Sequence, residues 1–181
     1  MPLYLSKSKY CSAVQCPKML WLKQNSPEEF DESVMNQTVL DNGSMVGDLA
    51  MGLFGDFSEV PFGDLGEMIK TTKSYMDEGR PIIAEASFSY DGNFCSVDIL
   101  KNHGNGRVEI YEVKSSTEVH DIYYHDVAYQ TYVLKKSGYE VIGCYLVHID
   151  REYVRHGELE LQKLFMICDL TEKVMPMISD V

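Results

Sequence analysis

"IIAEASFSYDGNFCSVDIL" (82–100) and, after a short break, "VEIYEVKSST" (108–117) decide how this chain folds. Asp91-Gly92 separates two runs of alternating apolar and polar residues. That dipeptide favours a two-residue type I′ turn, because both of its positions need positive φ. With the turn there, Tyr90 pairs with Asn93, and counting back sets Glu85 opposite Asp98, with Cβ atoms roughly 5 Å apart. Like charges facing each other across a ladder are destabilising, so the sheet needs a reason to keep them. A third strand, 107–114, follows through "KNHGNG" and makes a three-stranded antiparallel meander. Period two puts Val108, Ile110, Glu112 and Lys114 on one face, which therefore starts as core and ends in an acid and a base. An even-sum register brings Glu112 alongside Asp98 and Glu85, although the loop leaves that register open.

The flanking segments extend this sheet into a layered domain. "DIYYHDVAYQTYVLKKSG" reads as a helix ending at Gly138, with Asp126 and Gln130 four apart on one face. "YEVIGCYLVHI" is a fourth strand, and a last strand and helix follow from Glu158. Upstream, Ser6 caps a helix that Pro17 interrupts and restarts. A second helical stretch spans 33–54, with Met45, Val46, Leu49, Ala50, Leu53 and Phe54 as its apolar stripe. Asp64 and Glu67 resemble a capping box opening a helix to about Gly79. The expected fold class is α/β: a central mixed β-sheet, the meander plus further strands, flanked by helices. We read residues 1–181 as one domain, mainly helical over 1–80, with the sheet core and the Gln130 helix over 81–181.

Composition narrows the function. Hydrophobic residues make up 45% and charged residues 24% of the chain, with no low-complexity tract, which excludes a disordered chain. No signal-peptide core and no membrane-spanning run occurs, so a cytoplasmic protein without a membrane partner is expected. Five irregularly spaced cysteines, Cys11, Cys16, Cys95, Cys144 and Cys168, are expected as reduced thiols. The net charge of −12 counts against a polyanionic partner without excluding one. Lys7, Lys9, Lys18 and Lys23 crowd the N-terminus and leave a local basic face there, which a solvated helix face explains equally well.

Three acids and a lysine on one strand face, next to a helix presenting Gln130, form a phosphodiesterase-like arrangement. Adjacent carboxylates suit Mg²⁺ or Mn²⁺, hard cations that prefer oxygen ligands. Such an ion acidifies a bound water and stabilises phosphate charge, while a nearby lysine supports the nucleophile or the developing charge. Each residue also has a plainer reading: Glu112 and Lys114 as an exposed ion pair, Asp98 as a strand-edge charge.

"SVDIL", then "YEVKSST", then "AYQTYVL" resembles the D…ExK…Q pattern of the PD-(D/E)XK nuclease superfamily, in its RecB-like branch, which includes CRISPR-associated nucleases. The opening "LSKSKYCSAVQCPKMLWL" is similar to the N-terminal segment of that branch, so the resemblance spans residues 3 to about 150. It implies a restriction-endonuclease-like fold and a Mg²⁺- or Mn²⁺-dependent deoxyribonuclease. Asp98 and Glu112 would then be metal ligands with the Val113 carbonyl, Lys114 the catalytic lysine, and Gln130 a contact to DNA or to the active-site water. Glu85 matches an upstream acid that also serves as a ligand. DNA would be the partner, with further domains or protein partners in a longer protein.

Three departures qualify the resemblance. The branch carries a histidine ligand on an early helix, whereas "GSMVGDLA" has none, so Asp48 or Glu85 would have to substitute. Leu134 stands where a tyrosine usually follows the glutamine, and Tyr132 lies at a different helical angle. The branch also anchors a 4Fe-4S cluster through four cysteines, one of them before Pro-Lys, as Cys16 is here; with only Cys168 near the end, no cluster is expected in this chain, and either the sequence stops short of the cysteine trio or this member has none. Cys95 and Cys144 read as small core residues. A catalytically weakened DNA-binding or partner-docking module is the alternative to the nuclease; a small-molecule phosphohydrolase lacks a phosphate loop to support it.

Overall fold

The structure, a computed structural model, describes residues 5–29 and 37–181, with the side chains of 37–42 excepted. Strands β3 (Ile82–Tyr90) and β4 (Asn93–Asn102) form the expected hairpin, with Asp91 at φ 45° and Gly92 at φ 75° and Tyr90 paired with Asn93. Positive φ at both turn positions is what a type I′ turn demands. Strand β5 (Arg107–Lys114) pairs antiparallel with β4, Ile99 with Tyr111 and Leu100 with Ile110, an even-sum register. Strand β6 (Glu140–Ile149) adds parallel to β5, and β7 (Phe165–Asp169) adds antiparallel to β6. Two short strands that the sequence reading did not foresee complete the mixed sheet: β1 (Leu5–Ser6) beside β4 and β2 (Ser58–Glu59) beside β3, both parallel.

A parallel β5–β6 pair needs a crossover, and α5 (Asp121–Lys136) supplies it. Val127, Ala128, Tyr129, Gln130, Thr131, Val133 and Leu134 are all buried along it. A helix buried nearly all round must have neighbours on both sides. The sheet covers one side through Val108, Ile110, Val97 and Leu146. Helices α1 (Lys7–Gln15) and α7 (Thr171–Met177) pack against it as well. Leu134, which stands where the resemblance expects tyrosine, is a fully buried core residue, and Tyr132 packs partly buried at the margin.

The opposite sheet face is covered by α3 (Gln37–Met51), whose Val46 and Ala50, followed by Leu53, pack on Ile99, Tyr111 and Val147. Met45, placed in that stripe by periodicity, is instead 55% exposed. Residues 33–36 of the expected helix lie outside the described residues. Ser6 caps α1 through its Oγ, Cys16 breaks the helix, and Pro17 opens α2 (Pro17–Asn25). Asp64 caps α4 (Leu65–Asp77), accepting from the backbone of Gly66 and Glu67, half of the expected reciprocal box. A short α6 (Leu161–Leu164) precedes β7. No described helix is long and apolar enough to cross a membrane.

Candidate metal centre

β4 has two different neighbours on one edge. Its Ile99–Asn102 half is laddered to β5, while Asn93 and Phe94 pair with Leu5 and Ser6 of β1. Between those contacts the sheet forks, and Asp98 sits at the fork. The paired residues stop at Tyr111, and beyond it Val113 N–H donates to Asp98 Oδ2 at 2.7 Å, so a side chain takes over from the ladder. β1 is pinned by its own bonds: Leu5 N–H donates to Gly92 O at 2.8 Å, and the Tyr129 hydroxyl donates to Leu5 O. Tyr10 stacks on Tyr129 with ring centroids 4.8 Å apart. α1 therefore starts at the fork, and its first residue, Lys7, points into it.

The charged groups meet there. Lys7 Nζ donates to Glu112 Oε1 at 3.0 Å and Oε2 at 2.9 Å, and to Asp98 Oδ1 at 3.4 Å. Lys114 Nζ donates to Glu112 Oε1 and to Asp126 Oδ2, both at 2.7 Å. Gln130 Nε2 donates to Glu112 Oε2 at 2.7 Å and Asp126 Oδ1 at 3.0 Å. Glu112 is 1% exposed, which removes the reading of an exposed strand-end pair with Lys114. Among the described residues, Gln130 Oε1 is the one buried side-chain oxygen or nitrogen without a hydrogen-bond partner.

Electrostatics divides the carboxylates. Burial pushes Asp98 up to about 7, and the neighbouring Glu112 charge pushes the same way, against the pull of Lys7 and Lys114. Burial also disfavours the Glu112 charge, but Lys7 and Lys114 outweigh it and hold the carboxyl well below the usual range. Burial and Glu112 raise Asp126. Burial would lower Lys114, yet Glu112 and Asp126 keep its pKa well above that of an ordinary lysine. Three carboxyl groups (Asp98, Glu112, Asp126) thus face two ammoniums (Lys7, Lys114), and once all three are ionised the cluster is one positive charge short of balance.

A cleft of about 430 Å³ opens onto this cluster, lined by Lys7, Asp98, Glu112, Val113 and Lys114, by Glu85, and by the Gly43–Asp48 side of α3. Glu85 departs from its expected place. The hairpin register on either side is the one counted from the turn, but the ladder passes from Ala84–Ile99 to Ala86–Val97 without a Glu85–Asp98 pair. Glu85 has φ 55°, a strained conformation for a non-glycine residue, so its backbone leaves the ladder. Its carboxyl lines the cleft, pushed up by burial, and Asp48 lines it from α3. Among the described residues no group of three or more His, Cys, Asp or Glu side chains gathers to hold a metal ion, so Glu85 is not drawn in beside Asp98 and Glu112.

Two carboxylates nonetheless fit Mg²⁺ or Mn²⁺, because such ions commonly take one or two protein carboxylates and leave their other positions to water and phosphate. The missing positive charge and the cation already held between Asp98 and Glu112 agree with that donor set. Among the described residues the cysteines do not gather into one ligand group. Cys95 and Cys144 are buried in β4 and β6, and Cys16 is exposed after α1. Cys11 lies beside the charged cluster, where burial pushes its thiol up to about 12.

Asp98, Glu112, Val113, Lys114 and Gln130, the residues of the D…ExK…Q pattern, converge. The sequence marks Asp126 only as the helix neighbour of Gln130 and sets Lys7 on a basic face, whereas Lys7 is half-buried among acids. No protein-family model matches this chain, and no curated protein matches it.

Proposed function

We propose that this chain is a metal-dependent nuclease of restriction-endonuclease-like architecture that hydrolyses DNA phosphodiester bonds by attack of water. The observation that carries the reading is the meeting of Asp98, Glu112, Lys114 and Gln130, a D…ExK…Q set, at one buried fork opening onto a cleft. Asp98, Glu112 and the Val113 carbonyl would hold Mg²⁺ or Mn²⁺. The chemistry such an ion supplies when bound is polarisation of the phosphate and a more acidic water. Glu85 and Asp48, on the cleft wall, are the acids available as additional or water-mediated ligands.

The protein's own groups divide the remaining work. Lys114 stays protonated at neutral pH, since Glu112 and Asp126 raise its pKa, so it serves as a fixed positive charge for the phosphate and not as a general base. Asp126 positions that ammonium at 2.7 Å. Gln130 commits its amide N–H groups to Glu112 and Asp126, which leaves Oε1 to accept a hydrogen bond from a water. With a net charge of −12, DNA affinity would rest on the bound ion and local lysines, in a cytoplasmic setting.

The second reading is a catalytically weakened module that docks DNA or a protein. It draws on the absence of a third converging ligand among the described residues. Incubation with end-labelled linear and closed circular DNA in Mg²⁺, Mn²⁺ or EDTA separates the two. A nuclease cleaves in the metals, stops in EDTA, and loses cleavage in Glu112→Gln; a docking module leaves every substrate intact, and cleavage of RNA alone would correct the substrate.

A further inference from the structure

Lys7 has no place in the D…ExK…Q pattern, yet its ammonium makes more contacts to the two proposed ligands than any other group in the fork. It lies 2.9 Å from Glu112 Oε2 and 3.4 Å from Asp98 Oδ1, bridging the pair that would hold a divalent ion. It arrives there on built supports, the β1–β4 pairing, the Tyr129 bond to Leu5 and the Tyr10–Tyr129 stack, and its side chain is only 23% exposed. An ammonium so placed and a divalent ion compete for the same carboxylate oxygens.

We infer that Lys7 is the resident cation of this centre: it occupies the space between Asp98 and Glu112 until Mg²⁺ or Mn²⁺ displaces it into the cleft. The inference rests on the metal-site reading above and deepens it. Charge favours the exchange. With Lys7 in place and all three carboxyl groups ionised, Asp98, Glu112 and Asp126 outnumber the two lysines by one. Replacing one unit of positive charge by two closes that deficit. The cost is the loss of three charge-assisted hydrogen bonds at Lys7, so the lysine sets the metal concentration at which the centre loads. Lys7 lines the cleft, so a displaced ammonium stays near the mouth through which a phosphate would enter.

Calorimetric titration of Mn²⁺ into the wild type and Lys7→Met tests this. If the lysine-in arrangement dominates without metal, its removal tightens Mn²⁺ binding by at least about tenfold, because the competing state no longer taxes the affinity. Equal or weaker binding by Lys7→Met, with binding intact in the wild type, overturns the role of Lys7 and leaves the metal site standing. Binding by neither protein overturns both. A measurement on the wild type covers the case of a variant that does not fold. Amine-reactive labelling of Lys7, read by mass spectrometry, should be slow without metal and several-fold faster in saturating Mg²⁺, with no such rise in Asp98→Asn. Labelling of Lys7 that ignores Mg²⁺ also overturns the exchange.

Discussion

At its loop end, the β4–β5 pair is laddered from Asn102–Val108 to Ile99–Tyr111, with Val108 and Ile110 fully buried under α5 and Tyr111 under α3. At its open end the same two strands part, β1 takes β4's edge, and the gap fills with Asp98, Glu112, Lys114 and Lys7. One strand thus carries core and candidate chemistry on a single face, changing character between Ile110 and Glu112. Backbone pairing and apolar burial stabilise the first end. In the second, desolvated charges persist because each has a partner, an arrangement that contributes little net stability.

The sharpest break in that comparison is Glu112→Gln. Both lysines and Gln130 bond to this carboxylate, so its neutralisation should abolish metal-induced stabilisation and lower cleavage by about a thousandfold, within the usual range for loss of an electrostatic catalytic group. Thermal melts with and without Mn²⁺, beside cleavage rates, check both. An unchanged Mn²⁺ shift would mean that Glu112 is structural.

Ile110→Ala should separate the ends in the opposite sense. Deleting a fully buried core side chain costs about 2–5 kcal/mol. Urea denaturation should register that loss, while the folded protein keeps the wild-type Mn²⁺ affinity. A parallel fall in affinity would show that the two ends are not independent.

Acidity gives a smaller, graded effect. Asp98, pushed up to about 7, holds a proton below that pH, which a metal must displace. Apparent Mn²⁺ affinity should therefore rise with pH by up to about tenfold per unit until about 7, then level off. Without metal the sign reverses: a carboxyl whose folded pKa lies above its ordinary value contributes stability that is present at low pH and lost as pH rises through about 7. Glu112, held low, contributes stability above its ordinary pKa of about 4.3 that is lost in acid. Titration calorimetry across pH 5.5–8.5 tests the metal arm, and an affinity flat in pH would contradict it. The smallest change is expected from Glu109→Gln at the loop end, which keeps an acceptor for the Tyr111 hydroxyl, now 2.9 Å from a carboxylate oxygen, but removes its charge, and should cost under about 1 kcal/mol with no effect on metal or cleavage.

How much of this was legible differs between the ends in the same way. Asp91-Gly92 specified the hairpin register, and alternation specified which residues of β5 face α5, because turn chemistry and period two are local rules. The helix stripe of α3 was mostly readable, and Met45 was misplaced because periodicity does not say how far a helix face wraps around its contact. The open end depends on contacts no local rule reaches. Lys7 meets Glu112 across 105 positions of sequence, through a two-residue strand too short to give a pattern. Glu85 left its ladder through a backbone conformation that its residue type does not signal. Asp126 was visible as the helix neighbour of Gln130, but its bond to Lys114 required the β5–α5 packing.

The central claim is that the open end is a hydrolytic centre and not a buried salt-bridge cluster. Lys114→Ala under single-turnover conditions tests it most directly, with Mn²⁺ binding measured on the same protein. Lys114 touches Glu112 and Asp126, so its loss should leave the metal site and the β4–β5 ladder in place, and Mn²⁺ should bind as tightly or more tightly with a neighbouring positive charge gone. The account predicts cleavage of end-labelled DNA slower by at least about a hundredfold in that protein. Wild-type cleavage rates in Lys114→Ala would contradict it.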